Sequence, residues 1–564
     1  MKTLLSGATI VNVFTGELEK ANLLIEDEKI IGVGDYTAAD ADVTEDVSGK
    51  YICPGFIDGH IHIESTMLTP AELAELCLPH GTTAIVADPH EIANVCGVDG
   101  IKYMLEASEG LPMTVYINLP SCVPATPFDE SGAELFAEDL KPLYSHKRVL
   151  GLAEMMNYPG VIFGDKDVHK KLSDARELGK HIDGHAPFLR GRDLDKYVAS
   201  GIRTDHECSN SDEAIEKIRT GQWIMIRQGT AARNLDDLLP LFDSEYSHRC
   251  IFVTDDRHPA DIKSEGHIDN IVRLAVKAGK SPITAIKMAT IQSAECFGLR
   301  YVGAVAPGYK ADVLVLDDLD TVAVRDVYVS GKKIVDAGKI EEITHPEIDP
   351  ALHDKVFNSF HVGPLVPEDF TIAAESNKCR VIKVNPGTLV TDELITHIDF
   401  GRNNGVDVDR DIVKLAVIER HKNTGHRGLG FINGIGLKKG AIASSVSHDS
   451  HNLIVMGTNE ADMAIAANHI CKVGGNVVVC DGEVVAEMPL HIAGLMTDLD
   501  DESIAAANKA VRMAAHTLGT NDGIEPFMNM AFVSLSVIPS LKMTTHGLID
   551  VDKFELVSLF VTEE

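Results

Sequence analysis

Between residues 54 and 300 the chain alternates short apolar runs with helical stretches, and this alternation constrains the fold more than any other feature. Eight apolar runs end in polar residues; in order they are GFIDGHIHIE, TTAIVADPHE, MTVYINLPSC, RVLGLAEMMN, HIDGHAP, GIRTDHE, QWIMIRQGT and CIFVTDD. Helical segments such as TPAELAELCLPHG and SDEAIEKIRTG lie between several of them. Eight strand–helix repeats in about 250 residues are typical of a (β/α)₈ barrel of the TIM type, whose active site lies at the C-terminal ends of the strands. We therefore predict such a barrel over residues 54–300.

The segments on either side of this range have a different pattern of apolar and polar residues. Residues 1–53 and 301–340 carry short β-rich runs separated by glycine and charged turns, which favours one small β-sandwich domain built from both segments. Residues 341–370 contain four prolines and little periodicity, so we predict a connector there. Residues 371–564 show mixed helical and strand patterns, and we predict a C-terminal α+β domain.

Composition narrows the classes of function. The chain has 51 basic and 85 acidic residues, and its net charge of −34 argues against binding to nucleic acid or anionic membranes. The ten cysteines form no C-x-x-C pair, so we interpret them as reduced thiols. The longest uncharged run is shorter than the ~20 apolar residues that a membrane-spanning helix needs. We expect a cytoplasmic protein with no nucleic-acid or membrane partner.

The pair His60 and His62 is the sharpest local signal for chemistry. Residues i and i+2 of a strand point to the same side, so two imidazoles at this spacing can hold one metal ion. Four further polar residues fall at the ends of later apolar runs, and they are Glu154, His185, His206 and Asp255. Each alone is as well explained by a hydrogen-bonded group at a barrel rim, but the six together predict a metal centre. Imidazole and carboxylate ligands suit Zn, Mn, Fe or Ni, and a carboxylate such as Glu154 can bridge two ions.

Several longer motifs resemble a known family. PGFIDGHIHIES, GLAEMMNYPG, DGHAP, DHE and TDDRHP, in this order, are similar to the amidohydrolase superfamily. The motifs ADPHEIANVCG, SCVPAT, IRQGTAARN, EGHIDN and SVSHDSHNL narrow the resemblance to its adenine deaminase branch, over essentially the whole chain. Many members of the superfamily carry a carboxylated lysine at the end of strand four. This chain has Glu154 there, which agrees with adenine deaminases and counts against dihydroorotases and hydantoinases.

The resemblance implies hydrolytic deamination of adenine to hypoxanthine and ammonia in purine salvage, by metal-activated water that attacks C6 of the purine. It implies a binuclear centre of Mn²⁺ or Fe²⁺, with Zn²⁺ as an alternative, and a homodimer. We expect Asp255 to act as the proton shuttle, if it lies within hydrogen-bond reach of both the water and the leaving amine.

An acid is also needed to protonate N1 of the ring. His90 and Glu91, just past the second strand, are the expected catalytic candidates, and an equal alternative is that they cap the next helix or brace a ligand histidine. Glu207 is a weaker alternative, and we expect it to support a ligand rather than contact substrate.

Five residues are candidate substrate contacts, and they are Ser121, Arg227, Gln228, His448 and Asp449. Ser121 ends the third strand, and we expect it to line the pocket. Arg227 and Gln228 follow the seventh strand, where a salt-bridged loop is an equally good explanation. His448 and Asp449 lie in the C-terminal domain, where the same motif can contact substrate or metal, or form a structural turn.

Three other functions stay open at this point. A cyclic-amide hydrolase would use the same barrel and metal ligands on a dihydropyrimidine or hydantoin ring. A nucleoside deaminase would use the same chemistry at C6 in a larger pocket. A non-catalytic scaffold is a third reading, although scaffolds of this kind have lost ligands that this chain retains.

Overall fold

The computed structural model describes residues 1–230 and 232–561, which pack as two compact units. The barrel unit comprises residues 1–89, 104–121 and 136–348. The C-terminal unit comprises residues 90–103, 122–135 and those from 349 onward. Two segments that interrupt the barrel range in the sequence, 90–103 and 122–135, therefore group with the C-terminal unit.

Seventeen strands form the β structure of the barrel unit within the described residues. They are β1 Lys2–Val11, β2 Leu18–Glu26, β3 Lys29–Gly34, β4 Val43–Asp46, β5 Tyr51–Pro54, β6 Phe56–Ile61, β7 Thr82–Ala87, β8 Thr114–Leu119, β9 Val149–Met155, β10 His181–Gly184, β11 Thr204–Asp205, β12 Trp223–Arg227, β13 Cys250–Val253, β14 Val313–Leu316, β15 Val324–Val329, β16 Lys332–Asp336 and β17 Lys339–Ile340.

Helices alternate with the strands from β6 onward. They are α1 Pro70–Cys77, α2 His90–Ala107, α3 Ala137–Leu140, α4 Tyr158–Phe163, α5 Lys166–Glu177, α6 Gly191–Ala199, α7 Ser211–Arg219, α8 Leu235–Leu238, α9 Pro259–Glu265, α10 Ile268–Lys277, α11 Pro282–Met288 and α12 Ile291–Cys296. Both helices predicted from the sequence are present, as α1 and α7. Their starts are capped, because the side chains of Thr69 and Asn210 accept hydrogen bonds from the first-turn backbone amides.

The eight predicted apolar runs all form strands, β6 to β13, and within each of two sheets these strands pair in sequence order. Strands β6 to β10 make one parallel sheet and β11 to β13 another. The Arg203 N–H donates to the Ile182 carbonyl (3.0 Å) where the two sheets adjoin, and the Asp255 N–H donates to the His60 carbonyl (2.9 Å) where β13 meets β6. The predicted (β/α)₈ barrel is confirmed.

The two segments that flank the barrel both contribute strands to a single nine-stranded sheet. Its order is β17-β16-β15-β14-β5-β1-β2-β3, with β4 paired in parallel to β1. The segments meet where β14 runs antiparallel to β5, with Leu314 opposite Cys53. Alternate residues of these strands, including Leu5, Ile10 and Val313, form its buried core.

The C-terminal unit has mixed α and β structure, and the predicted α+β class is confirmed. Its strands are β18 Lys378–Val384, β19 Thr391–His397, β20 Ile412–Ile418, β21 Arg427–Asn433, β22 Ala441–Ser444, β23 Leu453–Gly457, β24 Asn476–Cys480, β25 Glu483–Met488, β26 Leu541–Thr544, β27 Gly547–Asp550 and β28 Glu555–Val557. Its helices from residue 349 onward are α13 Pro350–Phe357, α14 Glu460–Val473, α15 Asp501–Thr517 and α16 Pro526–Phe532.

Strands β18 to β25 form an eight-stranded sheet, and β26 to β28 form a small antiparallel one. Helix α14 packs its buried residues, such as Met463 and Ile470, against the larger sheet. The range predicted as a connector, 341–370, contains helix α13 and the buried side chains of Val356 and Phe370. Among the described residues, every helix is too short or too polar to cross a bilayer.

Candidate metal centre and active site

The six predicted metal ligands meet in the barrel unit. His60 lies in β6 and Glu154 in β9, while His62, His185, His206 and Asp255 follow the ends of β6, β10, β11 and β13. Five of the side chains are almost fully buried, and His185 is about one-fifth exposed. The parallel order of the strands brings these strand ends together, as it does in any barrel of this type.

One half of the cluster surrounds His62. Its Nε2 lies 3.2 Å from Nε2 of His60, 3.3 Å from Oε1 of Glu154 and 3.1 Å from Oδ1 of Asp255. On its other side, Nδ1 of His62 lies 3.0 Å from the Asp88 carbonyl. A carbonyl at that position favours the tautomer that carries its proton on Nδ1, so Nε2 presents its lone pair to the cluster.

The other half of the cluster surrounds the second oxygen of Glu154. Oε2 lies 2.8 Å from Nδ1 of His185 and 3.2 Å from Nε2 of His206, and these two nitrogens are 3.2 Å apart. Glu154 therefore directs one oxygen to the pair His60 and His62, and the other to the pair His185 and His206. A carboxylate placed in this way between two imidazole pairs can bridge two cations.

Electrostatics in the cluster favour a bound cation. Burial, together with the charges of His206 and His62, lowers the pKa of His60 to about 3, so this imidazole is neutral. Burial also lowers the pKa of His62 and His206, but hydrogen bonds to Glu154 and nearby carboxylates raise each pKa well above its usual value. The buried carboxylates thus demand positive charge beside them, which a divalent ion can supply in place of protons. Four imidazoles and two carboxylates fit a divalent transition metal.

Arg227 contacts the carboxylates that border the cluster. Its Nη1 donates to Oδ2 of Asp255 (2.5 Å) and to Oε1 of Glu207 (2.6 Å). Burial raises the pKa of Asp255, but the charge of Arg227 and a hydrogen bond from His62 bring it well below its usual value. The structure thus gives Arg227 an ion pair with Asp255, which agrees with the salt-bridged alternative that the sequence left open.

Ser121 and Gln228 are bonded through backbone groups near the ligands. The Ser121 hydroxyl donates to the carbonyl of Glu154 (2.5 Å). The Gln228 N–H donates to the Val253 carbonyl, and its own carbonyl accepts from Arg257 Nη1 (2.7 Å). In these contacts both residues support the ends of β9, β12 and β13.

A buried lysine that sequence reasoning missed connects the strand ends that carry the predicted ligands His185 and His206. Lys217 Nζ donates to Asp205 (2.7 Å), to Glu213 (2.8 Å) and to the carbonyl of Ala186 (2.7 Å). Asp205 and Ala186 are the direct neighbours of His206 and His185. The periodic pattern of α7 does mark residue 217 as facing inward, but a lysine there reads as a surface residue unless its carboxylate partners are known.

The candidate residues outside the barrel unit form a second buried cluster, in the C-terminal unit. Glu91 Oε1 lies 3.2 Å from Nδ1 of His448, and Oε2 lies 3.7 Å from Nε2 of His451. His90 Nε2 lies 3.9 Å from Oδ1 of Asp449. The His448 ring stacks on Phe532, with centroids 4.3 Å apart. Burial raises the pKa of Glu91, but the charge of His448 lowers it well below its usual value, so Glu91 is ionised at neutral pH.

Comparison with known proteins matches two family models to the chain. Residues 51–334 match the amidohydrolase family, and residues 388–555 match the adenine deaminase C-terminal domain. The chain is thus a member of the amidohydrolase class, in agreement with its barrel and its histidine–carboxylate cluster. Among solved structures, an enamidase described as a member of the amidohydrolase superfamily is 17% identical and covers 60% of this chain and 97% of its own, with a TM-score of 0.47.

Full-length relatives narrow the class further. A protein named adenine deaminase from Desulfatibacillum aliphaticivorans is 45% identical over 560 residues, 99% of this chain and 96% of the relative. An adenine deaminase from Nitratidesulfovibrio vulgaris is 46% identical over 556 residues, 98% of this chain and 96% of its own. Another, from Clostridium acetobutylicum, is 45% identical over 564 residues. The chain belongs to the adenine deaminase family.

Proposed function

We propose that this protein hydrolyses adenine to hypoxanthine and ammonia. The observation that carries the proposal is the position of Glu154, whose carboxylate faces two imidazole pairs at the strand ends of the barrel. Many superfamily members have a carboxylated lysine at this position. Membership of the adenine deaminase family over the whole chain supports the substrate. The missing lysine argues against ring opening of a cyclic amide.

Six residues, His60, His62, Glu154, His185, His206 and Asp255, are proposed to hold the divalent metal. When bound, the metal lowers the pKa of water and so supplies a nucleophile at neutral pH. Because Glu154 has one oxygen for each imidazole pair, we favour a binuclear centre. The family resemblance favours Mn²⁺ or Fe²⁺ as the metal, with Zn²⁺ as the alternative.

Asp255 is the proposed proton carrier. It accepts a proton from the attacking water and delivers it to the amino group that leaves C6 as ammonia. Arg227 holds Oδ2 of Asp255, so that Oδ1 stays directed at His62. Arg227 acts here through Asp255, and we assign it a positioning role.

The acid that protonates N1 of the ring is proposed to be His90 or Glu91, which lie just past the end of β7, in the first turn of α2. Because Glu91 is ionised, a proton donated from this place would first be held by an imidazole paired with it, such as that of His448. Ser121, Gln228, His448 and Asp449 remain proposed substrate contacts.

Two further proposals concern the protein as a whole. All ten cysteines are free thiols, which supports a reducing compartment such as the cytoplasm. A homodimer is proposed from the family resemblance, and sedimentation equilibrium tests it as a mass of twice 61.0 kDa.

A substrate panel tests the reaction. The metal-loaded protein is incubated separately with adenine, adenosine, cytosine and dihydroorotate, and ammonia and purine products are measured. We expect equimolar hypoxanthine and ammonia from adenine alone. Turnover of adenosine in preference to adenine would make the protein a nucleoside deaminase, and ring opening of dihydroorotate would make it a cyclic-amide hydrolase.

A further inference from the structure

A third group, of two histidines and one glutamate, lies at the surface of the C-terminal unit. Glu130 Oε1 is 2.8 Å from Nδ1 of His426, and Glu130 Oε2 is 3.8 Å from Nε2 of His546. The two imidazole rings are tilted by 54° relative to each other, with centroids 5.2 Å apart. One ligand atom from each residue lies within 4.8 Å of the other two. We propose that Glu130, His426 and His546 bind a divalent transition-metal ion, independently of the catalytic reaction.

Three separate chain segments supply these residues. Glu130 belongs to segment 122–135, His426 to the loop between β20 and β21, and His546 to the two-residue turn between β26 and β27. Their convergence is therefore a property of the tertiary fold rather than of one local motif. No short sequence pattern could have indicated it.

Glycine packing fixes the distance between the two histidine-bearing hairpins. A Cβ at Gly428 in β21 would lie only 2.0 Å from the Thr544 carbonyl oxygen, so the two backbones can approach as they do only because residue 428 has no side chain. His426 and His546 each lie two residues from this contact. The histidines are thus positioned by backbone packing, and not only by their bonds to Glu130.

Hydrogen bonds hold the third ligand in place. The Glu130 carbonyl accepts from Asn452 Nδ2 (2.7 Å), and Oε2 of its side chain accepts from the Thr545 hydroxyl (2.5 Å). The preceding residue, Asp129, accepts from the hydroxyl groups of Thr126 (2.7 Å) and Ser536 (2.6 Å). Ligands held in this way lose little conformational freedom when an ion binds.

The composition of the group favours a metal ion over a simple ion pair. One carboxylate needs only one cationic partner, yet each oxygen of Glu130 faces a different imidazole. Two imidazole nitrogens and one carboxylate oxygen suit Zn²⁺, Ni²⁺ or Cu²⁺. The side chains of His426 and His546 are 53% and 38% exposed, so an ion can enter from solvent and complete its coordination with water. The bound ion would tie segment 122–135 to both hairpins.

Equilibrium dialysis of the full-length, metal-loaded protein against Zn²⁺ tests the proposal. Bound zinc is counted for the wild type and for His426→Ala, His546→Ala and the matched control His469→Ala. His469 is paired with Glu487, and among the described residues no second imidazole contacts this pair, so it reproduces an ordinary histidine–glutamate contact.

We expect the wild type and His469→Ala to bind one zinc ion more than either of the other variants. At limiting zinc, His426→Ala and His546→Ala should each lower the zinc affinity of this extra site. The decrease should be at least roughly 10–100-fold, which is the loss of metal affinity when a residue that only supports a ligand is removed. Glu154→Ala should keep the extra ion, because the proposed site uses none of the barrel ligands. Equal zinc stoichiometry and affinity in all four proteins would overturn the proposal and leave Glu130 and His426 as a surface ion pair. His426 lies in a loop and His546 in a turn, both with exposed side chains, and circular dichroism verifies that the variants fold.

Discussion

Replacing Lys217 by methionine should destabilise the part of the barrel that carries His185 and His206. Lys217 is fully buried, as are its partners Asp205 and Glu213, so the ammonium group neutralises two carboxylates that water does not reach. Removing one partner of a buried charge network costs about 3–5 kcal/mol, because the remaining charges are left without compensation. At about 1.4 kcal/mol per factor of ten, local opening should become ~100- to 5,000-fold more frequent.

Amide hydrogen exchange of β10, β11 and β12 measures this change directly, because exchange from these strands reports the free energy of local opening. The control is Lys196→Met, which removes an exposed pair with Asp193 and should change exchange by less than about threefold. Adding Glu213→Gln to Lys217→Met removes one of the stranded charges and should restore part of the protection. Wild-type exchange in Lys217→Met would refute the assignment of this lysine as the buried link between the two ligand-bearing strand ends.

Three further perturbations test other parts of the structure. Arg227→Met removes the charged hydrogen-bond donor to Asp255. Such a bond contributes about 1.5–3 kcal/mol, so the kcat/KM for adenine should fall roughly 10- to 150-fold. An unchanged kcat/KM would exclude the positioning role. Gly184→Ala places a Cβ 2.3 Å from the Thr204 carbonyl oxygen, so it should force β10 and β11 apart. The metal content, measured by elemental analysis, should then fall, and full metal content would contradict this. Burial lowers the pKa of Lys542 to about 7 in the folded protein. Between pH 7 and about 10 the unfolded chain therefore binds more protons than the folded one, so the free energy of unfolding should rise with pH. The rise should reach about 3 kcal/mol from pH 7 to 9.5. Hydrogen exchange of β26 and β27 should show this rise in the wild type and not in Lys542→Met.

The sequence predicts the barrel and its cluster well because both depend on local periodicity. Each apolar run specifies a strand, and parallel order alone brings the strand ends together, so His60, Glu154 and Asp255 could be grouped without any knowledge of their distances. Even β11, which is only two residues long, is marked by the polar residues that follow it.

Contacts between distant segments could not be predicted in this way. Glu91 and His448 are separated by more than 350 residues. Glu91 lies in helix α2 and His448 in the loop after β22, and no periodic sequence pattern links these two segments. The sequence likewise could not predict which groups Arg227 contacts, because an arginine at a strand end can face substrate, solvent or a neighbouring carboxylate. Segments 90–103 and 122–135 continue barrel strands along the chain, and only tertiary packing reveals that they group with the C-terminal unit.

Metal-dependent turnover of adenine, measured together with metal content, tests the central claim most directly. The protein is stripped with a chelator, reloaded separately with Mn²⁺, Fe²⁺ or Zn²⁺, and assayed for ammonia release from adenine, with Glu154→Ala treated in parallel. We predict that the stripped protein is inactive, that reloading restores turnover, and that Glu154→Ala binds less metal and stays inactive, because both imidazole pairs lose the carboxylate between them. Adenine turnover that persists without metal, or that survives in Glu154→Ala, would contradict the account.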